Sequence, residues 1–293
     1  MDPSIITFFQ VMMCGLLVGG LYALFSVGLN VIFGVMKIIN FAHGEFLMLG
    51  GYLTYFLFML ANIDPLLSIP ITMALLFLVG FLIEKSLIKP LAGGPPYSYI
   101  LLTLGISIAL QNIALILWTG NYRSVPVWYS ALPLSIGPIS VGLSLVVAFT
   151  VAVILTAILY VLLKRTTFGK SVRALSQNPE LAQAMGINVS KMYTLTFCLG
   201  AMVAGVAGSL VAFTMYIFPN VGFEIAIKSF CIVILGGLGS FEGAIVGALL
   251  LGLAESFTSV YLPGGSGWAP VVFFAVLLIT LVVKPQGLLG AKA

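Results

Sequence analysis

Residues 141–163 read VGLSLVVAFTVAVILTAILYVLL, and Lys164 and Arg165 follow at once. Twenty-three positions pass without a charged side chain. A helix crosses the hydrocarbon of a bilayer with about 20 mostly apolar residues. The run is too long for a buried strand, and it lacks the polar/apolar alternation of a barrel strand, so it reads as a spanning helix. The rest of the chain agrees. Charged residues are 7% of the 293 and hydrophobic residues 61%, against about 25% charged in a typical soluble domain. So few charges cannot cover a soluble surface of this size. That excludes a water-soluble enzyme, a disordered chain and a nucleic-acid binder, despite the net charge of +4.

Outward from this run, breakers delimit nine apolar segments, at about 8–34, 46–61, 66–83, 98–118, 141–163, 192–217, 225–238, 243–261 and 269–283. The expected fold is all-α, a polytopic transmembrane helical bundle of about eight to ten spans with broken or re-entrant helices possible. The first segment exceeds one crossing, and a break near Gly28 or Gly34 would accommodate it. The seventh is short, as a tilted or half helix buried in protein would be. Residues 1–10 carry only Asp2 and lack the basic flank of a cleaved signal, so the first helix is expected to remain.

Basic residues orient the bundle. Lys37, Lys85, Lys89, Lys164, Arg165, Lys170, Arg173, Lys191, Lys284 and Lys292 fall on one side, leaving only Arg123 and Lys228 for the other. The first side is expected to be cytoplasmic. The C-terminus is then inside, the N-terminus outside if there are nine spans, and loop 119–140 faces outward. Cys14, Cys198 and Cys231 are scattered through apolar runs and read as packing residues. With His43 the only histidine, no histidine-rich metal site is available. Small residues four apart, as at Gly15/Gly19, Gly200/Ala204/Gly208 and Gly243/Gly247, let helix backbones approach closely. Segments one and six are both glycine-dense and run in opposite directions, as inverted repeats do, without clear residue-level similarity.

Polar residues at membrane depth need a partner or a water-facing cavity. Thr103, Ser107 and Gln111 form one stripe on the fourth segment, with Asn112 alongside. Asn30 lies deep in the first. Such stripes serve either interhelical hydrogen bonding or a translocation path. Asn40 and His43 share a helical face in the link before the second segment. Glu45 stands where that helix begins, and its simpler role is to complement the helix dipole. Glu255 lies about twelve residues into the eighth segment and must be protonated, paired or facing water. Glu224 and Lys228, four apart, read as a surface pair. The candidate solute path is therefore Asn30, Asn40, His43, Thr103, Ser107, Gln111 and Glu255.

No catalytic constellation appears. Gly169-Lys170-Ser171 imitates the end of a phosphate-binding loop, but Lys164 occupies the position of the required glycine. There is no G-x-S-x-G and no H-E-x-x-H. No cofactor or metal is expected on this chain. The loop 164–191 holds a short helix with every boundary signal. Asn178 is its N-cap, Pro179 its first residue, Glu180 complements the dipole, and Gly186 closes it. Two turns are too few to persist in water, so this helix should dock on something.

Glu180-Leu181-Ala182, with Gly186 following, resembles the E-A-A-x-x-x-G coupling loop of ABC-importer permeases, Leu181 replacing the first alanine. GLNVIFGVMKIINFAHGEFLMLGGY at 28–52, ILGGLGSFEGAIVGALLLGLAES at 234–256 and KPQGLLG at 284–290 resemble the permease subunits of high-affinity branched-chain amino-acid importers. The likeness runs over about 11–290. It implies one permease domain over 1–293 in a prokaryotic cytoplasmic membrane, with a cytoplasmic coupling loop at about 164–191. Asn178, Pro179, Glu180, Ala182 and Gly186 would make the ATPase contact. It further implies a second related permease, two ATP-binding subunits that hold ATP and Mg, and an extracytoplasmic solute-binding protein. Related importers take urea, short amides or other neutral amino acids. A self-sufficient carrier or channel is the more distant alternative, for which Glu255 alone is thin support.

Overall fold

The computed structural model describes residues 3–130 and 132–290. Each of the nine apolar segments is a helix. They are α1 (Pro3–Met36), α2 (His43–Ala61), α3 (Pro65–Ile83), α4 (Pro96–Trp118), α5 (Leu143–Arg165), α8 (Val189–Thr214), α9 (Val221–Gly236), α10 (Phe241–Tyr261) and α11 (Gly265–Val283). Two further helices, α6 (Thr167–Gln177) and α7 (Pro179–Ala184), fill the long loop between α5 and α8. Among the described residues, seven helices are long and apolar enough to cross a membrane, fewer than the eight to ten expected. Helix α9, with only 16 residues, is one of the nine segments that falls short of that length. The chain is a multi-pass membrane protein.

Two expectations need correction. Helix α1 runs unbroken for 34 residues, about 50 Å. Gly28 and Gly34 are approach points rather than breaks: Gly28 admits the Gly200 carbonyl and the His43 ring, and Gly34 admits the backbone of Gly239. The helical bundle also carries, in the connection between α4 and α5, a small antiparallel hairpin, β1 (Pro133–Ile136) with β2 (Ile139–Gly142), in register Leu134↔Val141. Finally, Lys228 does not pair with Glu224. It reaches across to Glu255 on α10 instead.

Burial sorts the helices into layers. Of their apolar windows, 83% is buried in α1 and α8, against 22% in α4 and α5. Helices α1 and α8 therefore form the centre, and α4 and α5 present side chains to surroundings outside this chain. Glycine makes the centre tight. Gly15 and Gly252 bring α1 onto α10, Gly50 and Gly205 bring α2 onto α8, and Gly236 and Gly243 bring α9 onto α10. A Cβ on Gly15, Gly252, Gly50, Gly236 or Gly243 would collide with the facing helix of its pair, and one on Gly205 would collide with Leu76 of α3.

Two connections then shape the middle of the bundle. After α1 ends at Met36, residues 37–42 run back beside it. His43 starts α2 with its Nε2 3.2 Å from the Phe25 carbonyl, eleven residues, or about 16 Å, short of the end of α1. After α8, residues 215–220 re-enter likewise, held by the Arg123–Ile217 backbone pair, and α9 begins at Val221. The beginnings of α2 and α9 meet at Gly44 and Gly222, whose backbones leave no room for a Cβ on either. The paired arms α1–α2 and α8–α9 run in opposite senses, so the inverted arrangement is present in the backbone although it is faint in the residues.

Candidate functional site

The α2 start carries the polar centre of the molecule. Glu45, in the first turn, is fully buried. Its Oε1 accepts hydrogen bonds from Ser107 Oγ and Gln111 Nε2, each at 2.8 Å, and Gln111 Nε2 also lies 3.2 Å from Ser107 Oγ. Oε2 has no partner. The stripe on α4 and the acid on α2 are thus one cluster, and the converging amides of the α2 N-terminus favour an oxygen-rich group there. Asn40 accepts from the Ala42 amide at 3.1 Å while its Nδ2 is unpartnered, and His43 Nδ1 is likewise buried without a partner. Beyond Gln111 opens a cavity of about 290 Å³, lined by Gln111, Asn112, Leu115, Gly120, Phe218, Pro219 and Asn220.

The other sequence candidates sit elsewhere. Thr103 is buried and bonds to backbone: its hydroxyl lies 2.9 Å from the Tyr99 carbonyl and accepts from the Phe41 amide at 3.3 Å, tying α4 to the 37–42 link. Asn30 clasps the turn before α10, donating to the Ser240 carbonyl at 2.6 Å and accepting from the Gly239 amide at 2.7 Å. It also lines a second cavity beside Lys164 and Glu242, which form an ion pair at 2.8 Å. Glu255 is paired: Lys228 Nζ reaches its Oε1 at 2.5 Å and the Tyr22 hydroxyl donates to its Oε2 at 2.8 Å.

Sequence reading missed Glu45 as the hub of the α4 stripe, gave Lys228 the wrong partner and missed Tyr22 altogether. One signal was available for Glu45. A buried stripe of donors requires an acceptor, and Glu45 is an acid in the neighbouring helix. Nothing local marks Tyr22.

At the far end of the bundle, α6 and α7 form a bracket. Thr166 caps α6 through the Gly169 amide at 3.2 Å, and the Arg173 guanidinium bonds back to the Leu163 carbonyl. Val172 and Leu175 turn inward, making α6 an amphipathic helix that the loop reading did not foresee. Asn178 accepts from the Leu181 amide at 3.0 Å, Pro179 opens α7, and Gly186 takes φ +86 to stop it. Ala182 is buried in one apolar cluster with Val35 of α1, Leu175 of α6 and Met192 of α8. Leu181 and Met185 point the other way, 65% and 85% exposed, so α7 grips the bundle by one face and offers apolar side chains on the other. Glu180 is exposed beside them.

The family model for the branched-chain amino acid transport system permease component matches residues 11–281. The chain belongs to this family. Among its relatives, the high-affinity branched-chain amino acid transport system permease protein BraD of Pseudomonas aeruginosa is 31% identical, covering 98% of this chain and 97% of its own. The corresponding permease protein LivH of Escherichia coli is 33% identical over 99% and 98%. The probable branched-chain amino acid transport permease protein LivH of Methanocaldococcus jannaschii is 32% identical over 92% and 89%. These three relatives each match over at least nine-tenths of this chain.

Proposed function

We propose that this chain is the membrane permease subunit of an ATP-driven importer that passes branched-chain or similar hydrophobic amino acids across a prokaryotic cytoplasmic membrane. The observation that carries this reading is the full-length match to branched-chain amino acid permeases. In the proposed assembly a second related permease completes the path. Two ATP-binding subunits carry ATP and Mg, and an extracytoplasmic binding protein delivers the solute. The ten-to-two division of basic residues supports a cytoplasmic α6–α7 bracket and C-terminus, with the hairpin outside.

The chain's own residues support a relay. Asn178, Pro179, Glu180 and Gly186 shape α7, and Leu181 and Met185 face the ATP-binding partner. Ala182 ties α7 to α1 and α8 through Val35 and Met192. Those two helices cross at Gly28 and Gly200, where the His43 ring also packs, at the start of α2. A shift at α7 is thereby transmitted to the helix that holds Glu45. The path is lined by Asn40, His43, Thr103, Ser107 and Gln111, with Asn30 toward the cytoplasm and Glu255 toward the outside. Polar groups there replace hydration that the solute gives up, which costs several kcal/mol per unmatched group.

The test is reconstitution of the permease pair with its ATP-binding subunits in liposomes and loaded binding protein outside. Uptake of labelled leucine that requires ATP and exceeds urea uptake supports the reading. Leucine uptake without ATP, or urea uptake in its place, contradicts it.

A further inference from the structure

An ion pair at membrane depth is unusual enough to ask what it is for. Lys228 on α9 and Glu255 on α10 are joined at 2.5 Å, and Tyr22 on α1 bonds to both, at 2.8 Å each. Lys228 also lies over the Tyr22 and Phe273 rings, 5.1 and 5.5 Å from their centroids. Yet the pair is not sealed. The side chains are 27% and 21% exposed, and Glu255 and Tyr22 border a cavity of about 540 Å³. That volume is within the range of small-molecule sites, about 300–1,000 Å³. Its wall is apolar at Val11 and Val18 and carries hydroxyls at Ser256 and Ser259.

Replacing a buried ion pair by apolar side chains often costs nothing, so stability alone is a weak reason to keep this one. An accessible pair of opposite charges has a chemical counterpart, the zwitterion of an α-amino acid. Its carboxylate can take the place of Glu255 against Lys228 and the Tyr22 hydroxyl, while its ammonium takes the place of Lys228 against Glu255. The charge of the site is zero before and after. A solute with net charge would leave one buried charge unmatched, and a neutral amide would not repay the opening of the pair. We propose that Lys228, Glu255 and Tyr22 form a zwitterion-exchange site, opened by the α-amino acid that enters the cavity, with the aliphatic side chain against Val11 and Val18. This rests on the importer reading above and assigns recognition of that substrate's ammonium and carboxylate to these three side chains.

The experiment uses the reconstituted complex with leucine-loaded binding protein and counts leucine moved per ATP hydrolysed. Glu255→Gln should lower that ratio at least tenfold. The charge-exchanged double variant K228E/E255K restores an ion pair of opposite polarity, and the ratio should stay at least fivefold below wild type. Recovery to the wild-type ratio in the exchanged variant, or no loss in Glu255→Gln, would make the pair a structural latch and overturn the proposal. A second measurement needs no change to the pair. Cys14 lines the same cavity, so in a complex with Cys198→Ala and Cys231→Ala, leucine should slow maleimide labelling of Cys14 at least threefold and leucinamide should not. Equal protection by both, or by neither, counts against the site. If the wild-type complex moves no leucine at all, the importer reading itself fails, a result distinct from these.

Discussion

Helices α2 and α9 enter the bundle in the same way and end up with opposite chemistry. Each follows a central helix and a connection that turns back inward, and each begins where Gly44 meets Gly222. At α2 the acid Glu45 is closed in by neutral donors on α4. At α9 the base Lys228 finds an acid on α10 and a phenol on α1, partly open to a cavity. The backbone crossing is a packing solution that any pair of glycines could supply. The polar outcome depends on which distant helix faces each charged residue, so the first turn of α2 becomes a sealed hub and the middle of α9 an accessible ion pair.

The largest effect should come from breaking the crossing itself. Gly222→Val places side-chain atoms inside the backbone of Gly44, so destabilisation should exceed about 4 kcal/mol. Almost no folded permease should then be recovered from membranes by size-exclusion chromatography in detergent. Gly105→Ala is the contrast: its Cβ would meet nothing within 4 Å, and recovery should match wild type.

Smaller, and specific to the α2 side, is Gln111→Leu. It removes one of the two donors to Glu45 and leaves the helix crossings untouched. An unmade hydrogen bond to a buried polar group costs about 1–3 kcal/mol, so leucine uptake should fall roughly tenfold with assembly intact. Normal uptake would reduce the α4 stripe to packing. Smaller still is Asn30→Ala, which strands the Gly239 amide and the Ser240 carbonyl. Its cost should be roughly 2 kcal/mol, read as a drop of several degrees in the detergent melting temperature. Asn30→Asp keeps only the acceptor role and should fall between.

Much of the helical frame was legible because apolar length is a local property: all nine segments are helices, and the short seventh is the 16-residue α9. Both ends of α7 were legible too, since Asn178 and Gly186 act on backbone within a few residues of themselves. What could not be read was long-range. Ser107 and Gln111 lie more than sixty positions from Glu45, and Tyr22 lies more than two hundred from Lys228. Spacing along one helix says nothing about which other helix will face it. For the same reason, Glu224 looked like the partner of Lys228 when tertiary packing had supplied Glu255. The hairpin escaped notice because four-residue strands carry little periodic signal.

In the proposed importer α7 is the element through which a partner's ATP hydrolysis reaches the bundle, and Gly186 gives the cleanest access to it. Its φ is +86 and a Cβ there would touch nothing within 4 Å, so substitution acts on the backbone turn alone. A β-branched residue resists that conformation, whereas asparagine tolerates it. The measurement is stimulation of ATPase activity by leucine-loaded binding protein in the reconstituted complex. Gly186→Val should insert and assemble but lose the stimulation, and Gly186→Asn should keep most of it. Wild-type stimulation and uptake in Gly186→Val would contradict the account and leave α7 a passive surface turn.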